Sequence, residues 1–284
     1  MAGQVRAIKR RIGNIEDIRQ ITRAMNAIAM TKVARMKRRL EQTRPYVEGL
    51  AAVLAEAVGR LPEDAEPNPL LGGNDSSATG ILVLNADRGL CGRYKGDLNR
   101  RTDERLVAGS PEARVLAGGE KARIHFERRG IEPLIVYSRL YDAPAYETAV
   151  RMADDLAGLF RAGNLGRIEL VYMRFVSDLK QRLVVEPFLP VRVEPRANDA
   201  LGEPAAAELV DEILPVVLRG ALYLAVLETK ASEDAIRRQA MQSATDNAED
   251  LLKALTRSFN KARQQAITRE IADIIGGAEA LRTS

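Results

Sequence analysis

The 284-residue sequence contains a single cysteine, Cys91, a single histidine, His125, and no tryptophan, and only 4% of its residues are aromatic. One cysteine excludes an internal disulfide framework and a zinc site built from cysteines. One histidine excludes a metal centre or a catalytic pair that needs two imidazoles. Because aromatic rings are rare, platforms on which bases, sugars or flat cofactors could stack are scarce.

The sequence also lacks the hydrophobic segments that direct a chain to or through a membrane. No run of 18 apolar residues occurs, so no transmembrane helix is predicted. The basic start, MAGQVRAIKRRIGN, has neither an apolar stretch nor a small-residue cleavage site. It is therefore not expected to be a signal peptide. The expectation is a soluble protein of a reducing compartment.

Charged residues, by contrast, make up 29% of the chain, and they are unevenly distributed. Residues 1–44 carry 12 Lys or Arg against 3 Asp or Glu, an excess of nine positive charges. The whole chain is +4, so residues 45–284 carry a net charge of −5. A basic arm of this kind predicts an anionic partner, such as nucleic acid, a membrane surface or acidic protein loops. The alternative is a solvated helix face whose sign is incidental.

A long helix is predicted from about Gln4 to Gly59, with Pro45 expected to kink or briefly interrupt it. Its apolar residues recur every three or four positions, which is typical of a helix that packs along one partner helix. The members of this stripe are Ile8, Ile12, Ile15, Ile18, Ile21, Met25 and Ile28.

A second long helix is predicted from Glu208 to Ile275, with breaks expected only at Pro215, near its start, and at Gly220, and it is predicted to end at Gly276–Gly277. Its stripe consists mostly of small residues, which allow two helices to approach closely. The stripe includes Ile236, Ala240, Ala244, Ala248, Leu251, Leu255, Phe259, Ala262, Ala266, Ile267, Ile271 and Ile274. The two terminal helices are predicted to pair antiparallel, because the domain between them returns the chain to where it left.

Between the two long helices, short apolar segments typical of strands are separated by helical stretches, as in an α/β domain. Five strand-like segments alternate with three helical ones in the order β-α-β-α-β-α-β-β, which predicts a mainly parallel, Rossmann-like sheet and a closing hairpin around Asp178–Lys180. Pro187, Pro190 and Pro195 place the last strand at an edge or a bulge. The predicted segments are an N-terminal coiled-coil helix (1–59), a linker (60–79), the central α/β domain (80–195), a second linker (196–207) and a C-terminal coiled-coil helix (208–284).

The loop ADRGLCGRY (86–94) follows the first strand and precedes a helix, a place where glycine-rich loops cradle phosphate. Its GLCG pattern matches neither GxGxxG nor the P-loop, so it is either a structural turn or an anion or partner site. Cys91 has no histidine near it in sequence, and His125 has no obvious carboxylate partner. Both are expected to be structural residues, and no catalytic, cofactor or metal motif is found.

Four stretches together resemble the gamma subunit of F-type ATP synthases of the bacterial type. They are ITRAMNAIAMTK (21–32), DRGLCG (87–92), ETKASEDAIRRQAMQSATDNA (228–248) and NKARQQAITREIADIIGGAEAL (260–281). The motifs stand in the family's order and at its distances, and the resemblance covers essentially the whole chain. The cysteine-bearing regulatory insertion of the chloroplast relatives is absent, so thiol control is not expected.

The resemblance implies the central rotor shaft of the synthase, which binds no cofactor and has no active site of its own. In the family this shaft stands inside a ring of three alpha and three beta subunits. Its foot contacts the epsilon subunit and the c-ring of the membrane sector. Its rotation couples proton flow to ATP synthesis, or ATP hydrolysis to pumping. The location implied is the cytoplasmic face of the bacterial inner membrane, as a peripheral protein.

The resemblance also carries contact positions with the beta subunits onto four residues: Met25, Arg237, Gln264 and Thr268. Arg237 is expected to make the strongest contact, because its hydrogen bonds are charge-assisted. The alternative is that Met25 belongs to the helix–helix core and Arg237 to a solvated face.

Two other classes of function stay open on the residues alone. A coiled-coil protein that binds nucleic acid or a membrane surface would explain the basic arm, but not the central α/β domain. A nucleotide-dependent α/β enzyme would need a phosphate fingerprint, and the sequence offers only GLCG.

Overall fold

A computed structural model describes residues 2–66, 68–109, 112–142, 144–196 and 205–282 of the chain. The described residues form two compact units. Unit 1 comprises Met1–Ile28 and Arg238–Ser284, and unit 2 comprises Ala29–Arg237. The elements in chain order are α1 (Ala2–Gly59), α2 (Pro69–Gly72), β1 (Thr79–Leu84), α3 (Tyr94–Ala108), β2 (Arg114–Gly118), α4 (Glu120–Arg128), β3 (Ile135–Tyr137), α5 (Tyr146–Arg161), β4 (Arg167–Phe175), β5 (Gln181–Leu189) and α6 (Ala206–Arg282).

The long helix predicted at the start of the chain is confirmed, but the expected interruption at Pro45 is not. α1 continues through this proline. Proline removes one helical N–H and frees the carbonyl four residues earlier, here that of Glu41. Both Glu41 and Pro45 are exposed, so water can satisfy the freed carbonyl.

The predicted α/β domain lies in unit 2. Its five strands have the order β3-β2-β1-β4-β5. β1 pairs parallel with both β2 and β4, β2 pairs parallel with β3, and β5 closes the sheet antiparallel to β4. The mainly parallel sheet and the closing hairpin are therefore confirmed. β5 is an edge strand, and Pro187 faces Glu169 beside a register irregularity at Ile168, as its prolines predicted.

Alternating residues of β1 build two apolar cores, one on each face of the sheet, because successive strand side chains point to opposite faces. Leu82 and Leu84 belong to a cluster that also contains Phe160 of α5 and Leu218 of α6. Ile81 and Val83 belong to a second cluster, whose other members include Leu98 of α3 and Phe126 of α4. Both faces of the sheet are thus covered by helices.

Unit 1 is a pair of antiparallel helical segments. Thr245 Oγ1 donates to Thr22 Oγ1 at 2.8 Å, and Asn26 Nδ2 donates to Gln242 Oε1 at 2.7 Å. Rising numbers in α1 thus meet falling numbers in α6, as the predicted antiparallel coiled coil requires.

The predicted isoleucine stripe is only partly correct. Ile8, Ile12 and Ile15 are half-buried, whereas three later members are exposed: Ile18, Ile21 and Ile28. Two paired helices share only a narrow seam, and here Thr22 and Asn26 occupy it.

The end of the second long helix was also predicted wrongly. α6 continues through Pro215 and Gly220, where breaks were expected, and past Gly276–Gly277 to Arg282. A glycine inside a helix costs only about 1 kcal/mol relative to alanine, so it does not by itself end one. The five predicted segment boundaries stay predictions. The first linker contains the short helix α2, and residues 197–204 of the second lie outside the described residues. Within the described residues, no helix has the length and hydropathy needed to cross a membrane.

Candidate functional site

Four charged residues of α6 in unit 2 form one ionic cluster, which we call the α6 ion cluster: Lys230, Glu233, Asp234 and Arg237. Their spacing of three and four residues places them on one face of the helix. Lys230 Nζ lies 3.4 Å from Glu233 Oε2 and 3.1 Å from Asp234 Oδ1. Arg237 Nη1 lies 2.6 Å from Asp234 Oδ1, and its Nη2 donates to Glu233 Oε1. Each carboxylate is therefore held between two cations.

Burial dominates the electrostatics of this cluster. The side chains of Glu233 and Asp234 are almost fully buried, and burial raises the pKa of Asp234 above its ordinary value of 3.8, against the opposing charge of Lys230. Among the described residues, Asp234 Oδ2 has no hydrogen-bond partner. Burial works to lower the pKa of Arg237, but the charge of Glu233 and its hydrogen bond keep it above its ordinary value.

Arg237 also reaches the loop that follows β1. Its Nη2 donates to the Gly89 carbonyl at 3.4 Å. Nearby Cys91 is buried, and burial raises the pKa of its thiol, which makes it an unreactive structural cysteine at neutral pH. The structure therefore gives Arg237 partners within its own chain.

The 86–94 loop is held by its own side chains. Asp87 Oδ1 accepts from the backbone N–H of Glu120 at 3.1 Å, and Asp87 Oδ2 accepts from that of Tyr141 at 3.3 Å. The first of these bonds satisfies an N-terminal donor of α4. Leu90 has a positive φ of 62° and is exposed at the loop tip. These contacts favour the structural-turn interpretation over a phosphate cradle.

The other three candidate contact residues lie in unit 1. Met25 is half-buried, next to the Asn26–Gln242 hydrogen bond. Gln264 and Thr268 are exposed and lie one turn apart on α6. Because Thr22 meets Thr245, Gln264 lies roughly 28 Å farther along α6, at 1.5 Å per residue. The structure therefore does not bring Met25 together with Gln264 and Thr268.

His125 has a partner that the sequence did not suggest. Its Nε2 lies 3.1 Å from Asp103 Oδ2, and Arg129 Nη1 lies 3.3 Å from the same oxygen. Asp103 is on α3, 22 residues earlier, so only the packing of α3 against α4 reveals the pair. Within the described part of the chain, no group of three or more His, Cys, Asp or Glu side chains is arranged to hold a metal ion.

Sequence reasoning missed Lys230, Glu233 and Asp234. A signal was present, since charges of opposite sign recur at three- and four-residue spacing in a stretch that also contains Ala231 and Ala235. Such a pattern usually belongs to a solvated helix face. Here the face is covered by unit 2 itself, which sequence spacing does not show.

Comparisons with known proteins agree along nearly the whole chain. The family described as "ATP synthase" matches residues 4–281. The ATP synthase gamma chain of Moorella thermoacetica is 37% identical over 283 residues, which cover 98% of this chain and 99% of the relative. That of Chloroflexus aurantiacus is 37% identical over 286 residues, with 97% and 98% covered.

The fold is also found among solved structures. A chain in the mitochondrial ATP synthase of Euglena gracilis, in a structure of its rotor, superimposes with a TM-score of 0.69 at 17% identity, covering 94% of this chain and 100% of that one. A second structure of the Euglena gracilis enzyme gives a TM-score of 0.70 at 18% identity, with 99% and 95% covered. At these identities the likeness concerns the fold, and the sequence relatives carry the assignment: the chain belongs to the ATP synthase gamma-chain family.

Proposed function

We propose that the chain is the central rotor shaft of an F-type ATP synthase. It stands inside the ring of three alpha and three beta subunits and contacts the epsilon subunit and the c-ring. Proton flow turns the c-ring, and the shaft biases each beta subunit in turn towards a different conformation, because its contacts differ at each orientation. The shaft has no active site of its own. The observation that carries this proposal is the near-full-length match to gamma chains.

The surface of unit 1 supports the proposal. Several large apolar side chains are exposed on its two helical segments: Ile18, Ile21, Ile28, Leu251, Ile267, Ile271, Ile274 and Ile275. Exposed apolar surface on this scale is typical of a region that another protein covers. A surrounding ring of subunits would cover both segments at once.

The excess of positive charge in residues 1–44 supports an acidic partner. Acidic loops of the beta subunits would provide long-range attraction without requiring one fixed docking angle. We propose contacts with these loops at Met25, Gln264 and Thr268, where the side chains are half-buried or exposed. Arg237 is retained as a fourth contact, although most of its side chain is buried by its partners on α6.

The location that follows is peripheral, on the cytoplasmic face of a bacterial inner membrane.

Assembly is the direct test of the shaft function. The chain is expected to co-purify with an alpha–beta ATPase hexamer in a ratio of one chain to one hexamer. The chain alone is expected neither to hydrolyse nor to bind ATP. The measurement is size-exclusion chromatography with subunit quantification, alongside ATPase and nucleotide-binding assays. Failure to bind the hexamer, together with tight binding of DNA or anionic vesicles, would favour the competing coiled-coil function. Stoichiometric ATP binding by the purified chain would favour the enzyme.

The contact at Met25 is tested by Met25→Lys in reconstituted vesicles. The complex should assemble and hydrolyse ATP, but proton pumping per ATP should fall, because an added cation strengthens attraction to acidic loops in some orientations. Met30→Lys is the matched control, since Met30 is exposed and lies about 140° around the same helix at 100° per residue. Arg237→Ala should lower turnover through the loss of one contact, beyond any loss that Lys230→Met causes by removing the other cation of the α6 ion cluster.

Assembly failure for Met25→Lys, or an equal loss of hydrolysis and pumping, would show that Met25 is a packing residue.

A further inference from the structure

The sheet of unit 2 has a topological switch point between β1 and β4. β1 lies between β2 and β4 in the sheet and is parallel to both. The chain passes from β1 to β2 and β3 towards one edge of the sheet, and it then returns to β4, which lies next to β1 towards the opposite edge. In open α/β sheets, the crevice outside the carboxyl ends of two such strands is where ligands bind. In this chain the crevice lies between the 86–94 loop and the end of β4.

A segment of the chain's own α6 occupies that crevice. Ser232 Oγ donates to the carbonyl of Met173, near the carboxyl end of β4, at 3.0 Å. Tyr94 Oη, at the start of α3, donates to the carbonyl of Thr229 at 3.3 Å. Both side chains are buried. These two hydrogen bonds fix α6 to both walls of the crevice.

Apolar contacts fill the space around the two hydrogen bonds. Phe175, the last residue of β4, shares a cluster with Leu227, Ala231 and Ala235 of α6. Ile236 packs against the cluster that contains Cys91 and Tyr94. The α6 ion cluster lies in the same stretch and contains two cations and two carboxylates. The buried charges of this segment therefore neutralise one another.

This stretch of α6 differs from its beginning, where the contacts with the α/β domain are mainly apolar. Val210, Leu214 and Leu218 join the large cluster on the other face of the sheet, and the ion pair of Arg219 with Asp154 is partly exposed. Apolar contact is non-directional, so it resists a small rotation or slide of the helix weakly. Buried hydrogen bonds have preferred angles and distances, so they hold the helix in one register.

We propose that α6 acts as an internal ligand of the switch-point crevice, and that residues 227–237 with the 86–94 loop form the joint through which torque passes between α6 and the α/β domain. Ser232 and Tyr94 are its positioning residues. The proposal rests on the shaft function, and it adds that the place where related folds hold a ligand here holds a rotating element.

The joint is tested by single-molecule rotation of the complex assembled on an immobilised hexamer. A bead is attached through Val107→Cys on α3, which is 89% exposed, or through Glu212→Cys near the start of α6, which is also exposed. The first bead reports on α6 and the joint together, and the second reports on α6 alone. Cys91 stays in place because it is buried.

The test variant is Ser232→Ala with Tyr94→Phe. Each substitution removes one hydroxyl group and adds no volume to the packed side chains, so the chain should fold. The variant is expected to broaden the angular distribution during catalytic pauses for the bead at position 107, but not for the bead at 212. The rate of ATP hydrolysis should be unchanged.

Arg219→Ala is the matched control, because it removes an exposed link between α6 and the same domain and should broaden neither distribution. Equal broadening at both beads, none at either, or the same broadening by Arg219→Ala would overturn the joint. Absence of rotation by the unmodified chain at both attachment points would instead overturn the shaft function.

Discussion

The two units of this chain are built from stretches of the same two helices, yet they bury very different groups. Unit 2 packs its stretches against a sheet and encloses an ionic cluster together with extensive apolar cores. In unit 1, a seam of small and polar residues such as Thr22, Thr245 and Ala248 is buried, and large isoleucines stay exposed. The comparison teaches that unit 2 buries most of its large apolar side chains around its sheet, with exceptions such as Val107 and Leu179, whereas unit 1 leaves isoleucines such as Ile18 and Ile21 exposed.

Two lysine–aspartate pairs of α6 reduce this comparison to single contacts. In unit 2, Lys230 and Asp234 are 10% and 0% exposed and 3.1 Å apart. In unit 1, Lys253 and Asp250 are 66% and 77% exposed and 3.0 Å apart. The distances are alike, but the first pair is buried within the α6 ion cluster and the second is exposed, so breaking the two pairs should have different energetic consequences.

The largest expected effect is that of Lys230→Met. It leaves Glu233 and Asp234 with one cation between them, and breaking a buried pair from one side lowers the free energy of unfolding by about 3–5 kcal/mol. Lys253→Met, the same change at an exposed pair, should lower it by about 1 kcal/mol or less. The measurement is denaturant unfolding of the full chain.

A compensated variant sharpens this prediction. Lys230→Met combined with Asp234→Asn removes one charge of each sign, so it should recover part of the stability lost in the single variant. Two results would contradict the prediction: an equal loss of unfolding free energy in Lys230→Met and Lys253→Met, or a double variant less stable than Lys230→Met alone. Either would show that burial of the ion cluster does not make its pairs more important for stability than the exposed pair.

A smaller effect should appear as a dependence on pH. Since the pKa of Asp234 is raised by burial, the native state holds this proton more tightly than the unfolded state does. The stability contributed by protonated Asp234 is fully present below about pH 3.8 and is lost as the pH rises through the raised pKa. The unfolding free energy of Asp234→Asn minus that of the parent should therefore increase as the pH is raised from 4 to 7.

Glu120 provides the control of opposite sign. Its hydrogen bond from Arg123 holds its pKa below the ordinary 4.5, so its contribution is present above that pH and lost as the pH falls. The unfolding free energy of Glu120→Gln minus that of the parent should therefore decrease as the pH is raised from 4 to 7. Thermal or denaturant unfolding at both pH values checks both signs, and the same slope for the two variants would show that burial does not control Asp234.

Much of the architecture could be predicted because local pattern governs it. The short apolar segments around residues 80–86 and 167–177 predicted β1 and β4, and the alternation of such segments with helical ones predicted parallel pairing. The three prolines after residue 186 predicted an edge strand or a bulge, because proline cannot donate to an inner ladder. The terminal helices followed from their long three- and four-residue spacing.

The errors arose where a local rule competes with solvent or with packing. Pro45 does not stop α1 because the freed carbonyl of Glu41 is at the surface, and Gly276–Gly277 does not stop α6 because glycine is only a weak helix breaker. The apolar stripe of α1 is wider than the seam between two helices, so Ile18 and Ile21 lie outside the seam and are exposed. The spacing of a stripe therefore predicts an apolar surface, but it does not show what packs against that surface.

The sequence by itself determined the class of fold, the order of its elements and the family, because these depend on periodicity, turn residues and motifs that are local in the chain. Only the tertiary structure decided where the charges of α6 lie. Lys230, Glu233, Asp234 and Arg237 have the spacing of a solvated helix face, and they are buried because α6 crosses the carboxyl ends of β1 and β4. Burial depends on what is packed against a face, and that contact joins residues more than a hundred positions apart in the chain, as between Arg237 and Gly89.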